Sequence, residues 1–234
     1  MRINKYIAQS GLASRRKADE LIINGNVKIN GVTVKELGAD VVTGDVVEVN
    51  GNRIEPSNKL VYYMLNKPIG YITTLSDEKG RPTVTELLTD VSERVFPVGR
   101  LDYNTSGLLL LTNDGDLSNK LMHPKHRVYK TYRATVSGVL SPQRVAKLKK
   151  GVDIGGYITA PANVKIIKQS KNHTLVEIQI MEGKNRQVRK MFSAVGNKVI
   201  ELHRVAVGEL YIGRLMEGHY RKLTPQEVEY LKNC

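Results

Sequence analysis

The chain has 234 residues, of which 41% are hydrophobic and 25% charged. That is enough to bury a core without staples, in one large domain or two modest ones. Lysine and arginine number 36 against 23 acidic residues, a formal net charge of +13, which favours a polyanion partner, either nucleic acid or an anionic membrane. The one cysteine, Cys234, excludes an intrachain disulfide or thiolate metal site and fits a reducing cytosol. No apolar run approaches the ~20 residues of a membrane span, and no secretory h-region opens the sequence.

Residues 1 to about 55 read as a small separate unit. Ile3, Ile7 and Ala8 share a helical face, and Gly11 stops that helix. Ser14 caps a second helix whose buried stripe is Ala18, Leu21 and Ile22. Asn30-Gly31 between Val27/Ile29 and Val32/Val34 is a two-residue hairpin signal. Val41 to Val49 reads as another strand, interrupted at Gly44-Asp45. The unusual feature is Arg15-Arg16-Lys17 in the first turn of the second helix. Exposed cations there oppose the helix dipole, whereas a bound phosphate reverses the sign; a solvated charge run is the other reading. Arg2-Ile3-Asn4-Lys5-Tyr6-Ile7, Ser14-Arg15-Arg16-Lys17-Ala18 and Gly25-Asn26-Val27-Lys28-Ile29-Asn30-Gly31 together resemble the ribosomal-protein S-four-type RNA-binding module. The resemblance implies an RNA grip through Arg15, Arg16, Lys17, Lys5 and Lys28, without catalysis. Residues 51–59 read as a short linker.

From residue 60 the larger domain begins. Leu60 to Leu65 reads as a strand that delivers Lys67-Pro68-Ile69-Gly70, and a second short strand is expected through Tyr71-Ile72-Thr73. Thr83 with Glu86 has the spacing of a capping box and opens a short helix. Val95 to Val98 leads into the central stretch, Gly99 to Gly115. There Asp102 sits between an arginine and a tyrosine; Asn104, Thr105, Ser106 and Gly107 are turn formers. Leu108 to Leu111 is an apolar run expected as a strand buried on both faces. A carboxylate before a tight loop anchored by a buried strand is a place for chemistry. From spacing alone, the plainer reading of Asp102 is a turn cap or a partner of Arg100, and it outweighs the chemical one.

Asp116 to Met122 forms the next helix, ended at His123-Pro124. His123, Lys125, His126, Arg127 and Lys130 make a basic segment suited to phosphate, with no acidic or cysteine partner at metal spacing. Val128 to Val136 is a strand by composition, with Lys130 and Tyr132 on one face. Pro142 to Lys150, after Ser141, reads as a helix ended by Gly151. Strands follow near Asn163–Ile167 and Thr174–Met181. In the next helix, Val188, Met191, Phe192 and Val195 form the apolar stripe, and Arg186, Arg189 and Lys190 lie beside it. An arginine held there pairs bidentately with a carboxylate, or binds phosphate. Val199 to Val207 is a further strand carrying Leu202, with His203 and Arg204 expected to face RNA or solvent. Thr224-Pro225-Gln226-Glu227 caps a last helix through Leu231.

Gly99-Arg100-Leu101-Asp102 with Asn104-Thr105-Ser106-Gly107-Leu108 is similar to the active-site signature of the RsuA/RluB-type ribosomal RNA pseudouridine synthases. Lys67-Pro68, Lys130-Thr131-Tyr132 and Glu182 to Phe192 follow in that family's order. The resemblance implies Asp102 as the catalytic residue and Arg189 as its bidentate partner, keeping it ionised. It also implies support from Tyr132 and Leu202 packing the target base, and from Arg100 and Lys67 beneath or beside the loop. Arg186, Lys190 and Lys130 join the RNA-binding set. The implied fold is α+β: the small module over 1–55, then a catalytic domain over 60–234 built on a large, mainly antiparallel sheet. The implied reaction converts a uridine of ribosomal RNA to pseudouridine in the cytoplasm, without cofactor or metal. The large-subunit branch near the peptidyl-transferase centre is the closer match, and a small-subunit uridine is the alternative. The partner is ribosomal RNA rather than a membrane, and the expected state is a monomer. A non-catalytic RNA-binding assembly factor shares the charge but gives no reason for Asp102, Tyr132 and Arg189 to occur together. An RNA enzyme of other chemistry lacks a cofactor loop or metal cluster in this sequence.

Overall fold

The computed structural model describes residues 1–234, the side chain of Pro124 excepted. The chain forms two compact units, Met1–Val61 with Ser92–Arg94, and Tyr62–Val91 with Val95–Cys234.

In the first unit, α1 (Ile3–Gln9) and α2 (Arg15–Ile23) bury Ile3, Ile7, Ala18 and Ile22 completely. Ser14 Oγ caps α2 by accepting from the Lys17 amide at 3.1 Å, so the helix starts where its first unpaired amides find an acceptor. β1 (Val27–Ile29), β2 (Val32–Val34), β3 (Val47–Val49) and β4 (Asn52–Ile54) form a sheet in the order β2-β1-β3-β4. Asn30 and Gly31 take φ of 51° and 80°, the mirror-image turn that matches strand twist. Two expectations are corrected. Only Val47–Val49 of the Val41–Val49 segment is strand, because Asp45 folds the preceding residues into a turn by accepting from the Val42 amide at 2.9 Å. Residues 52–54 are strand rather than linker: Asn50-Gly51 (φ 52° and 80°) makes a second hairpin that pairs Val47 with Ile54. Ser92–Arg94, from farther along the chain, complete this unit; Arg94 donates to the Ala13 carbonyl at 3.4 Å and Glu93 pairs with Lys59.

The second unit runs β5 (Tyr62–Lys67), a 3-10 turn (Val84–Leu87), β6 (Phe96–Val98), β7 (Ser106–Thr112), α3 (Gly115–Met122), β8 (Lys130–Ser137), α4 (Pro142–Lys150), β9 (Asn163–Gln169), β10 (His173–Ile180), α5 (Gln187–Ala194), β11 (Val199–Val207), β12 (Leu210–Tyr211), β13 (Tyr220–Lys222) and α6 (Pro225–Asn233). Its nine-stranded sheet has the order β13-β5-β7-β11-β8-β10-β9, with β6 on β7 and β12 on β11. Among these pairings β7–β11 alone is parallel, so the sheet is mainly antiparallel as expected. Every residue of β7 is buried, as its apolar run requires. α4 and α5 cover Ala134, Val176, Ile178 and Leu202 with Leu148, Met191 and Phe192. α3 and α6 cover Leu108, Leu110 and Val207 with Leu117, Leu121 and Leu231.

Tyr71–Thr73 does not form the expected strand. It makes one bridge, Ile72 to Thr83, because its polar groups are spent on loops: Thr73 Oγ1 donates to the Leu101 carbonyl at 2.8 Å. That bond ties the segment to the residue before Asp102. The Thr83 box opens only a 3-10 turn, with Glu86 accepting from the Thr83 amide at 2.9 Å.

Candidate active site

Asp102 stands on the turn that feeds β7. The turn closes when the Thr105 amide donates to the Asp102 carbonyl at 3.0 Å. Gly107 follows with φ +110°, and a Cβ there would lie 2.3 Å from the Arg204 carbonyl oxygen and 2.5 Å from its nitrogen. Only glycine lets β7 and β11 meet this closely. The contact fixes the end of the Asp102 turn against the strand that carries Leu202.

Lys67 supports the turn from beneath. β5 pairs Lys67 with Gly107, which puts the side chain, fully buried, under the loop. Its Nζ donates to the carbonyls of Pro68 (2.9 Å), Asp102 (3.2 Å) and Thr105 (2.9 Å). An ammonium has three donors, and here all three point at backbone. Burial pushes its pKa down to about 8; the Asp102 and Glu217 carboxylates oppose the shift and Arg204 adds to it.

Two arginines hold the loop from the other side. Arg189, on α5, donates to the Asn104 carbonyl at 2.6 Å, the Val199 carbonyl at 3.3 Å and Thr105 Oγ1 at 3.5 Å. Its buried Nε has no hydrogen-bond partner among the described residues. The expected bidentate pair with Asp102 is therefore corrected: Arg189 grips the backbone of the loop. The ion pair belongs to Arg186, whose Nη1 lies 4.0 Å from Asp102 Oδ2 and 3.3 Å from Asn104 Oδ1. Arg186 precedes the helix in a left-handed conformation, φ 52°, which turns its side chain away from the α5 face and toward Asp102. Burial lowers the Arg189 pKa, Arg186 lowers it further, and Asp102 opposes both.

Asp102 opens onto a cavity of about 240 Å³, lined also by Arg100, Thr105, Tyr132, Arg186, Gln187 and Leu202. The side chain of Asp102 keeps 32% of its surface. Arg100 is exposed at the rim; Leu202 is buried and Tyr132 half-buried. β8 and β11 place Tyr132 opposite Arg204 and Ala134 opposite Leu202, so pairing brings the tyrosine and the leucine to one face. A polar wall facing an aromatic and an aliphatic side chain suits a planar heterocycle with polar edges.

Other expectations change. Lys130 is half-buried rather than on the RNA-facing surface, with Nζ 3.4 Å from the Met181 carbonyl. Burial, then Arg204, pushes its pKa down to about 8. Arg204 is 5% exposed and donates Nε to the Leu108 carbonyl at 2.7 Å, so it faces neither RNA nor solvent. His203 is half-buried, with Nδ1 2.9 Å from Ser106 Oγ, and burial lowers its pKa. Arg204 is buried where the close approach at Gly107 draws β11 onto β7. Gln187 has no counterpart among the residues singled out from the sequence: it is buried in the cavity wall, donates to Glu182 at 2.9 Å and accepts from the Lys184 amide at 3.0 Å. Its position four residues before Met191 is the available signal, in phase with the buried stripe.

In the first unit, Arg15, Arg16 and Lys17 are exposed in the first turn of α2, and Lys28 is exposed on β1. Arg15 Nη2 donates to Asn4 Oδ1 at 3.2 Å, and Lys17 pairs with Glu20 at 2.7 Å. Lys5 is half-buried, and Lys190 of the second unit is exposed on α5.

The sequence profile of the RNA pseudouridylate synthases matches residues 61–194, and that of the S4 domain matches residues 1–47. The chain is 47% identical over 233 residues to ribosomal large subunit pseudouridine synthase B of Bacillus subtilis (strain 168), covering 99% of this chain and 95% of the relative. It is 43% identical over 233 residues to an uncharacterized RNA pseudouridine synthase of Aquifex aeolicus (strain VF5), covering 99% and 93%. A crystal structure of a pseudouridylate synthase superimposes with a TM-score of 0.71 at 33% identity, over 99% of both chains. With an S4 domain ahead of a catalytic domain built on a large mixed sheet, the chain belongs to the RNA pseudouridylate synthase family.

Proposed function

We propose that this protein isomerises one uridine of ribosomal RNA to pseudouridine, that the RNA is that of the large subunit near the peptidyl-transferase centre, and that Asp102 is the catalytic carboxylate. The observation that carries the reading is the fastening of the Asp102 turn by Lys67 and Arg189 at the mouth of a cavity walled by Tyr132 and Leu202. The name of the Bacillus relative supports the large-subunit target.

The target uridine leaves its stack, at a cost of a few kcal/mol, and its base enters the cavity between Tyr132 and Leu202. Asp102 then attacks the base or sugar, or takes a proton from the ribose; both routes need a carboxylate held in one place. The N1–C1′ bond breaks, the uracil turns within the cavity, and a C5–C1′ bond forms. C5 loses its proton and N1 gains one, so atoms balance without a second substrate. Arg186 holds Asp102 on the cavity side; Arg100 and Lys190 meet backbone phosphates nearby. Residues 1–55, through Arg15, Arg16, Lys17, Lys5 and Lys28, supply the RNA grip, and residues 60–234 the chemistry, in a cytoplasmic monomer.

Pseudouridine mapping of ribosomal RNA from cells lacking the protein, by carbodiimide adducts and primer extension, tests the reading. The expected result is one large-subunit site that disappears and returns with the intact protein. A site lost from the small-subunit RNA overturns the target, and an unchanged map overturns the proposal.

A further inference from the structure

We infer that the hairpin over residues 151–160 is a second nucleobase site at the rim of the Asp102 cavity, where Tyr157 receives an unpaired base flanking the target uridine. The inference rests on the reading of the cavity as the uridine site.

The hairpin is closed by its own hydrogen bonds. The Ile154 amide donates to the Tyr157 carbonyl at 2.9 Å, and the Thr159 amide to the Val152 carbonyl at 3.0 Å. Gly155 and Gly156 turn the tip with φ of 102° and 78°. Asp153 Oδ1 accepts from the amides of Gly155 and Gly156, both at 2.9 Å, and Tyr157, at 3.3 Å. At the base, Gly151 runs so close to the Thr159 carbonyl that a Cβ would lie 2.2 Å from its oxygen.

The hairpin is also fastened to the cavity wall. Glu182 accepts from the Tyr157 hydroxyl, from the Ala160 amide at 3.2 Å and from Gln187 Nε2 at 2.9 Å. Gln187 lines the cavity, and so does Lys184, whose Nζ stands 4.6 Å from the centre of the Tyr157 ring. The aromatic ring is thus one side chain away from the space that holds Asp102.

Ile154, paired across the turn with Tyr157, packs against the core, whereas Tyr157 keeps 36% of its surface exposed; Ile158, 73% exposed, bridges Asp153 on the opposite face. An exposed aromatic held beside a cation is what an unpaired base stacks on, since every base offers a π-face and its backbone offers phosphate to Lys184. The partner is the RNA strand already in the cavity, which must leave the site through this rim or the one opposite. The sequence carries one sign of the hairpin, Gly155-Gly156, a two-residue turn signal.

Tritium release from C5-labelled uridines of a large-subunit ribosomal RNA transcript tests this with the full chain. Tyr157→Ala should raise KM between about 5-fold and 150-fold, the range for removing a base-stacking aromatic, while kcat moves far less; Ile158→Ala, on the opposite face of the hairpin, should leave KM within about two-fold. Tyr157→Phe should restore most of the lost affinity, because the ring, not its bond to Glu182, is the contact. Tyr157→Phe keeps the ring, so it separates lost stacking from a disturbed hairpin. KM within two-fold of the intact protein in Tyr157→Ala overturns the inference, and so does a phenylalanine variant as weak as the alanine one. Asp102→Asn in the same assay reports separately on the cavity: loss of turnover with RNA binding retained supports that reading, and turnover retained contradicts it without altering the KM comparison.

Discussion

Lys67 and Arg16 carry the same charge in opposite surroundings. Lys67 is fully buried, with three backbone carbonyls around its ammonium. Arg16 is exposed on the first turn of α2. The first positions a loop, and the second is free to meet a phosphate. Arg204 and Lys130 side with Lys67: one bonds the Leu108 carbonyl, the other approaches that of Met181. A net charge of +13 therefore overstates the surface available to a polyanion. Part of it lies inside the catalytic unit, where it orders backbone around Asp102.

The largest test of this division is Lys67→Met. It leaves the carbonyls of Pro68 and Thr105 facing a side chain that cannot donate, while that of Asp102 keeps the Thr105 amide, and each buried unsatisfied group costs about 1–3 kcal/mol. Partial relaxation should leave a loss of about 3 kcal/mol in urea unfolding. The Asp102 turn, no longer held, should lower kcat/KM by on the order of 100-fold under folded conditions, the scale of a 1 Å misplacement. Wild-type activity in that variant would show that the clamp does not position the carboxylate.

A smaller effect reports on the buried charges themselves. Lys67 and Lys130 titrate near 8 in the fold against 10.5 for an ordinary lysine. Between those values the unfolded chain holds protons that the folded chain has lost, so stability should rise as pH climbs from about 8 to 10.5. Lys130→Met removes one such group. Comparing urea midpoints at about pH 7.5 and pH 9.5, the variant should show a shallower rise and, at the lower pH, a gain over the intact protein. A variant with the same slope would mean that Lys130 is not desolvated.

The exposed side of the comparison predicts the smallest change in the protein itself. Arg15→Ala with Arg16→Ala should move stability by no more than about 0.5 kcal/mol. RNA affinity should fall, and the slope of log affinity on log salt should shrink by about 0.7–0.9 for each phosphate no longer neutralised. An unchanged slope would remove α2 from the RNA interface.

What could be read from the sequence follows the range of the interactions. The Ser14 cap, the Asn30-Gly31 hairpin and the buried run Leu108–Leu111 are set by neighbours within a few residues, and each lies where its pattern places it. The β4 hairpin uses the same Asn-Gly signal at 50–51, but polar Asn52 and Arg53 hide it. Placement of Asp102 before a turn and of Tyr132 and Leu202 on strands was also legible. The environment of the cations was not. Lys67 reaches a carbonyl 38 residues away and Arg204 one 96 residues away, and the approach of β11 to Gly107 that buries Arg204 has no local signature. The pairing of Asp102 with Arg186 rather than Arg189 turns on one left-handed residue, Arg186 at φ 52°, and helical spacing cannot foresee it.

Asp102→Asn in a single-turnover assay on large-subunit ribosomal RNA, with RNA binding measured in parallel, separates chemistry at the carboxylate from binding. Asparagine keeps the size and turn-forming character of aspartate but neither attacks nor accepts a proton as a carboxylate does. With Asp102 as the catalytic carboxylate, pseudouridine formation falls by at least about 1,000-fold while RNA affinity stays within a few-fold. Turnover near that of the intact protein would contradict that role and would place the chemistry on another residue.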